Sequence, residues 1–164
     1  MARGAPSQIS PRGSLMTDTA LTLPRGDAVN HPRHYQGRGG VEAIDVIESV
    51  AGLEGHASNA IKYILRHAAK GRPKEDLEKA RWYVRRLLRN TPRIAKRHVS
   101  TLMCERALRG FDSLIVDEQA TDAGEAFMCV AYAINARAED RYRAYLRQAE
   151  AALTRAIEQV ERPL

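Results

Sequence analysis

The run Asn30-His31-Pro32-Arg33-His34-Tyr35, a glycine-rich break from Gly37 to Gly40, and then VEAIDVIESV (residues 41–50), SNAIKYILRHAAK (58–70) and EDLEKARWYVRRLL (75–88) decide how this chain folds. Each of the three later segments repeats apolar residues at helical spacing beside a polar or charged face. The first helix is predicted from Val41, with Val41, Ile44, Ile47 and Ala51 turned inward. The second is predicted to follow Ser58, with Ala60, Ile61, Ile64, Leu65 and Ala68 as its stripe. Gly71-Arg72-Pro73 ends it, and Pro73 with Glu75 and Asp76 starts a third helix whose core residues are Leu77, Ala80, Val84, Leu87 and Leu88. Trp82, the lone tryptophan, is read as a core or interface anchor rather than a base-stacking surface.

Working outward, residues 1–28 are rich in Gly, Ser, Pro, Thr and Arg without a sustained period, and are read as a disordered basic tail in which Met16 is an alternative start. Residues 29–90 form a helical domain, and 91–164 a C-terminal helical extension packing on it or on a partner subunit. Thr91-Pro92 interrupts the pattern. Beyond it helices are predicted from Ile94 to Leu108, from an N-cap at Asp122 to about Ala136, and from about Glu139 to Glu161. Ser113 to Val116 is the one candidate extended piece. The fold expected is all-α, a compact bundle of about six helices.

No apolar run approaches the roughly 20 residues that cross a bilayer, and no signal-like segment is present; a cytoplasmic protein with no membrane partner is the expectation. Cys104 and Cys129 lack metal-type spacing and read as reduced core thiols. The net charge is +6, and 13 of the 26 Lys and Arg residues lie between Lys62 and Arg97, so an anionic partner such as a nucleotide or nucleic acid is expected. Lys62, Arg66 and Lys70 follow one another at intervals of four. Such a ridge repels itself unless something negative sits against it.

Standard phosphate loops, dinucleotide fingerprints, HExxH, paired CxxC and GxSxG are all absent. What remains is a histidine pair in a proline-containing turn, His31 and His34, followed by acids on one helix and bases on the next. Histidine titrates near neutrality and ligates metals or phosphate. Glu42 and Asp45 sit where a helix N-terminus favours carboxylates in any case. The candidate site is therefore the whole set His31, His34, Tyr35, Glu42, Asp45, Asn59, Lys62 and Arg66, expected to converge on one pocket.

The run NHPRHYQGRGGVEAIDVIE, then NAIKYILR, then a lysine and EDLEKARWY, resembles a small phage family of unknown function whose members carry HY, G-x-E-x-ID, N-x-x-KY-x-x-R and DL-x-KA-x-WY. That family includes the nucleotide kinase of short-tailed coliphages. The likeness covers Asn30 to about Leu88. It falls on Asn30, Pro32, His34, Tyr35, Gly40, Glu42, Ile44, Asp45, Asn59, Lys62, Tyr63, Arg66, Lys70, Asp76, Leu77, Lys79, Ala80, Trp82 and Tyr83. His56-Ala57-Ser58 and His67-Ala68-Ala69 depart from the family pattern.

The resemblance implies a phosphate-loop-independent kinase of deoxynucleoside monophosphates, acting in the host cytoplasm with ATP as donor and Mg2+. Within it His34, Lys62 and Arg66 are the catalytic candidates, Lys62 and Arg66 on phosphate oxygens. Glu42 and Asp45 are the metal candidates. Asn30, His31, Tyr35, Asn59, Tyr63, Lys70, Lys79 and Tyr83 are assigned to substrate. Two other readings stand beside it: an all-α nucleoside triphosphate pyrophosphohydrolase holding Mg2+ through Glu42-x-x-Asp45 and Glu75-x-x-Glu78, and a non-enzymatic protein binding nucleic acid or a host factor through the basic ridge from Lys79 to Arg97. The Tyr and Leu stripe of the final helix (Tyr142, Tyr145, Leu146, Ala149, Leu153, Ala156, Ile157, Val160) also suggests a homo-oligomer.

Overall fold

Pro73 has no amide hydrogen to lose and a φ already suited to a helix, so the most highly charged helix of the chain begins there. The computed structural model describes residues 1, 31–51, 54–90, 99–116 and 119–162; the tail, Asn30 and the Thr91-Pro92 break lie outside the described residues. Helix α3 spans Pro73–Arg89, with Glu75 and Asp76 in its first turn and Arg86 and Arg89 in its last. That is the charge order a helix dipole favours. Its buried stripe is Leu77, Ala80, Val84 and Leu87, as the spacing predicts, with Leu88 packed against its edge.

Trp82 is 56% exposed, which corrects its reading as a core residue. It lies two residues before Val84, on the side of α3 turned away from the stripe.

Helix α1 is short, Ala43–Val46, and passes directly into a π-helical turn, Ile47–Ala51. The Glu42 amide donates to Asp45 Oδ2 at 3.2 Å, so the helix starts after Glu42 rather than at Val41. Val41 and Ala51 are buried as expected. The rest of the inward set is Ala43, Val46 and Val50, while Ile44 is 51% exposed. A strict 3.6-residue count from Val41 misses this because Val41 and Glu42 are extended, so the helical phase starts only at Ala43, and the wider π turn shifts it again beyond Val46.

Helix α2, Gly55–Arg66, begins before Ser58 because Glu54 Oε2 accepts the Ala57 amide at 2.5 Å. It buries Ala57, Ala60, Ile61, Ile64 and Leu65. Residues 67–71 then leave the helix, closing at Gly71 with φ +72°, so Ala68 is exposed instead of inward.

Helix α4 runs Thr101–Gly110. A continuous helix from Ile94 is corrected at its N-terminal end: Val99 and Ser100 are non-helical, and Ser100 Oγ caps by accepting the Met103 amide at 3.2 Å. A 3-10 turn at Asp112–Leu114 leads to two two-residue strands, β1 (Ile115–Val116) and β2 (Gln119–Ala120), paired antiparallel.

Helix α5 spans Asp122–Asn135 and α6 Glu139–Glu161. The cap of α5 is Thr121 rather than Asp122. Its Oγ1 donates to Ser113 O at 2.7 Å and accepts from the Gly124 amide at 3.0 Å. Asp122 instead joins Glu125 in holding Arg155 of α6.

The six helices bury one continuous cluster that runs from Val41 to Ile157. Helix α6 packs along α5 and α3, and α5 lies against α2, so the last third of the chain completes the core of the middle third. Along α6 the predicted stripe is buried at Leu146, Ala149, Leu153, Ala156 and Ile157, with Val160 exposed. Cys104 and Cys129 are free and buried, and burial raises both thiol pKa values, that of Cys129 to about 11. Among the described residues no helix is long and apolar enough to cross a membrane.

Gly124 sets how closely α5 approaches the turn before β1. A Cβ there would stand 2.2 Å from the Leu114 carbonyl oxygen, a backbone atom that moves only with its whole segment. Gly124→Ala is expected to cost at least the ~1–3 kcal/mol of an overpacked core, read as a lower urea midpoint at unchanged m-value. A midpoint equal to the parent would show that this contact is loose.

Candidate functional site: a tyrosine and histidine cluster around Arg66

Arg66, at the C-terminal end of α2, is buried, with 8% of its surface exposed, against Asp76 of α3 at 2%. The two side chains meet fork to fork: Nε donates to Oδ2 at 2.9 Å and Nη2 to Oδ1 at 2.8 Å. The remaining guanidinium arm, Nη1, donates to the Tyr35 hydroxyl at 2.8 Å. Burial works against the charge, but the hydrogen bonds to Asp76 and Tyr35 outweigh it and hold the guanidinium protonated. Asp76 is thus the negative group that the cationic ridge of α2 calls for, and Arg66 faces inward rather than lying along an open ridge.

Tyr63, one turn before Arg66, gathers the cations around it. Arg66 Cζ lies 4.7 Å from its ring centroid, Lys62 Nζ 4.8 Å and Lys79 Nζ 5.6 Å, all within the range where a ring quadrupole attracts a cation. Tyr83 of α3 stacks on Tyr63 at 5.9 Å and 16°, with His56 5.9 Å from Tyr83 on another side. The open Trp82 indole meets Tyr83 edge-on at 4.9 Å. Lys62 also donates to Asn59 Oδ1 at 2.7 Å, and Lys79 to Glu75 at 2.5 Å, a contact that raises the Lys79 pKa.

The histidine turn, Arg33–Tyr35, leans on α2. His34 packs against Tyr35 at 4.3 Å. Burial first, then the charges of Lys70 and Arg66, lower its pKa below 6.5, so its ring is neutral at pH 7. His67 is buried just beyond Arg66 and donates from Nδ1 to Ile64 O at 2.7 Å; burial lowers its pKa as well.

On its other side the same turn reaches α1. His31 Nδ1 donates to Glu42 Oε1 at 2.8 Å, Gln36 pairs with Glu42 as an isolated β-bridge, and Gln36 Nε2 donates to His31 O.

The structure therefore brings His34, Tyr35, Asn59, Lys62, Tyr63, Arg66, Lys70, Lys79 and Tyr83 together around one buried ion pair. His31 and Glu42 form a neighbouring pair. Asp45 is elsewhere, lining a cleft of about 340 Å³ with Arg38, Arg106 and Arg109. Of the set expected to converge, His34, Tyr35, Asn59, Lys62 and Arg66 lie in one cluster of contacts, His31 and Glu42 form a pair beside it, and Asp45 lies in a different cleft.

Sequence reasoning missed the two α4 arginines, because nothing in the sequence of residues 91–164 relates them to the middle third. It also missed His67, although a histidine beside the helix end was visible as a departure from the family pattern.

Glu75 pairs with Lys79 and Arg72, and Glu78 with Lys74, so this acidic pair is engaged in short-range surface bridges. Arg81 and Arg85, in the predicted basic ridge, turn to Thr154 and Glu150 of α6.

The metal that the resemblance implies is Mg2+, a hard cation that takes one or two carboxylates alongside substrate phosphates and waters. Glu42 and Asp45 have the right chemistry for it, but the Glu42 carboxylate is paired with His31 and the Asp45 carboxylate caps the Glu42 amide and lines the arginine cleft, so the two do not form one donor set. Among the described residues no group of three or more His, Cys, Asp and Glu side chains is placed to hold a metal unaided.

A family model described as DUF3310, a protein of unknown function, matches residues 29–85. The matched segment takes in the histidine turn, α1, α2 and most of α3, so the Arg66 cluster lies inside the part of the chain that is similar to that family. No curated protein and no solved structure matches the chain.

Two outcomes follow from the geometry. Arg66→Ala leaves Asp76 charged and unpaired in the interior, and is expected to cost about 3–5 kcal/mol of stability, measured by urea unfolding; a loss below about 1 kcal/mol would mean that Asp76 reaches water. His34 and His67 titrate below 6.5 when folded and near 6.5 when unfolded. The unfolded chain therefore binds more protons in the window beneath pH 6.5, and stability that is full above that value is lost as pH falls. The melting temperature should drop on acidification through that window, less steeply in His67→Gln; an identical slope in parent and variant would remove His67 as a source.

Proposed function

We propose that the α2–α3 face binds a nucleotide, and that the protein is a deoxynucleoside monophosphate kinase that moves the γ-phosphoryl group of ATP to the monophosphate with Mg2+. The observation that carries the reading is the Tyr63 cluster. Two lysines from different helices, Lys62 and Lys79, flank one aromatic ring beside an exposed indole. Lysine ammonium groups neutralise phosphate oxygens as point charges, and the Trp82 face offers a base the kind of surface on which stacking stabilises binding.

The transfer chemistry is supported by the likeness of residues 30–88 to the phage family that includes a nucleotide kinase. Phosphoryl transfer asks a protein mainly for charge stabilisation and alignment, so an enzyme without a phosphate loop is chemically reasonable. Arg66 contributes by position: locked to Asp76 and Tyr35, it fixes Tyr63 and the histidine turn. His34, neutral at pH 7, is the group beside the cations able to accept a proton or hydrogen bond from substrate.

The test separates the exposed lysines from the structural arginine. Purified protein is incubated with ATP, Mg2+ and each deoxynucleoside monophosphate, and diphosphate products are resolved by ion-exchange chromatography. Lys62→Ala and Lys79→Ala are each expected to lower turnover by about tenfold or more, the value of one charge-assisted hydrogen bond, with melting temperatures near the parent's. Unchanged rates in both variants would remove the face from the reaction, and pyrophosphate release in place of diphosphate formation would replace the kinase with a pyrophosphohydrolase.

A further inference from the structure

The cleft that receives Asp45 is built from two parts of the chain that the sequence keeps about 65 residues apart. One wall is the Arg38–Gly40 turn and the start of α1, and the other is the exposed side of α4. Gly39 and Gly40 both have positive φ, +68° and +72°, and no atom stands within 4 Å of where a Cβ would be, so this wall is bare backbone that a ligand can approach closely. Arg106 and Arg109 are one helical turn apart on α4 and face the cleft together.

Three arginines and one acid, Asp45, thus line a cleft of about 340 Å³. Two of the three are only loosely engaged. Arg38 bridges to Asp112 at 2.8 Å with both side chains mostly in solvent, and Arg109 bridges to Glu105 at 3.3 Å, also exposed. Exposed pairs of this kind yield readily to a better anion. Among the described residues Arg106 has no carboxylate within ion-pair distance. The acids beside the cleft hold Arg38 and Arg109 only in exposed pairs, so all three guanidinium groups are open to a stronger anion.

We propose that this cleft is a binding site for a polyphosphate chain, gripped by Arg38, Arg106 and Arg109. Guanidinium forks match the paired oxygens of successive phosphates. A single phosphate would engage one or two of the three arginines, whereas a di- or triphosphate spans them. The recess is at the small end of ligand pockets, which favours a compact polyanion over a nucleic-acid backbone running along an open ridge. The site stands on the cleft alone and is separate from the lysines of the α2–α3 face. It gives the C-terminal part of the chain, outside residues 29–85, two ligand-binding side chains.

The experiment is calorimetric titration of the full chain with tripolyphosphate, ATP, AMP and a single-stranded oligonucleotide. Tripolyphosphate is expected to bind at one site, and ATP to compete for it, with an affinity that falls as salt is raised. Arg106→Ala and Arg109→Ala should each weaken both by about tenfold or more, while the Lys62→Ala/Lys79→Ala double variant leaves tripolyphosphate binding unchanged. ATP binding more tightly than tripolyphosphate identifies a nucleotide as the source of the phosphates, and equal affinity identifies free polyphosphate; both support the site. Binding that is indifferent to Arg106 and Arg109, or lost only with the two lysines, overturns it. An Arg106-dependent oligonucleotide complex tighter than either polyphosphate also overturns it, by giving the cleft to nucleic acid. Because both arginines are exposed on α4, melting curves of the variants should overlay the parent, which keeps a loss of binding from being a loss of fold.

Discussion

Arg66 and Asp76 form a bidentate ion pair with almost no water around it, and the middle of the molecule is arranged so that neither charge is left alone. Removing both from water is expensive, and the attraction between them repays that only when geometry is good and the leftover hydrogen-bonding positions are filled. Here the third guanidinium arm is filled by Tyr35, thirty-one residues earlier in the chain. One ion pair therefore fixes three things at once: the crossing of α2 on α3, the seat of the histidine turn on α2, and the orientation of Tyr63 beneath the guanidinium. An apolar pair of the same volume would pack α2 on α3 equally well, but it would offer nothing to hold Tyr35.

That arrangement divides the basic residues of the middle third by role. Arg66 is neutralised and internal. Lys62 and Lys79 keep their ammonium groups at the rim, tethered to Asn59 and Glu75 by contacts that a doubly charged ligand can replace. Arg81 and Arg85 are turned to α6, where they help hold the C-terminal helix in place. A count of positive charges between Lys62 and Arg97 treats these as one basic ridge. Among the described residues, Arg66 belongs to the core, Lys62 and Lys79 to a rim, and Arg81 and Arg85 to an interface with α6.

Helix existence was legible wherever a 3.6-residue stripe ran for three turns or more, as in α3 and α6, whose buried residues follow the spacing of Leu77, Ala80, Val84 and of Leu146, Ala149, Leu153. It was misread where local hydrogen bonds outweighed periodicity. Glu54 starts α2 early, Ser100 starts α4 late, Thr121 takes the cap from Asp122, and the extended backbone at Val41 and Glu42 puts Ile44 out of phase with Val41. Of the candidate site, the grouping of His34, Tyr35, Lys62 and Arg66 was legible because their motifs lie on consecutive elements. The partner of Arg66 was not, since an aspartate in the first turn of a helix has a sufficient reason to be there in the dipole alone. Arg106 and Arg109 were out of reach for a different reason: their meeting with Arg38 depends on how α4 folds back against α1, which no local pattern encodes.

The histidine turn sits between two charged regions and touches both. His31 is bonded to Glu42 at the start of α1, and Tyr35, four residues on, is bonded to Arg66 at the end of α2. Glu42 and Asp45 share the first turn of α1, and Asp45 opens into the arginine cleft. A cation or anion that changes the demand on either carboxylate therefore acts on a turn whose far end rests on the buried ion pair. Hydrogen bonds from His31 to Glu42, from the Glu42 amide to Asp45 and from Arg66 to Tyr35 tie both ends of the turn down, so the mouth of the arginine cleft and the buried pair of Arg66 and Asp76 hold the same short segment from opposite sides.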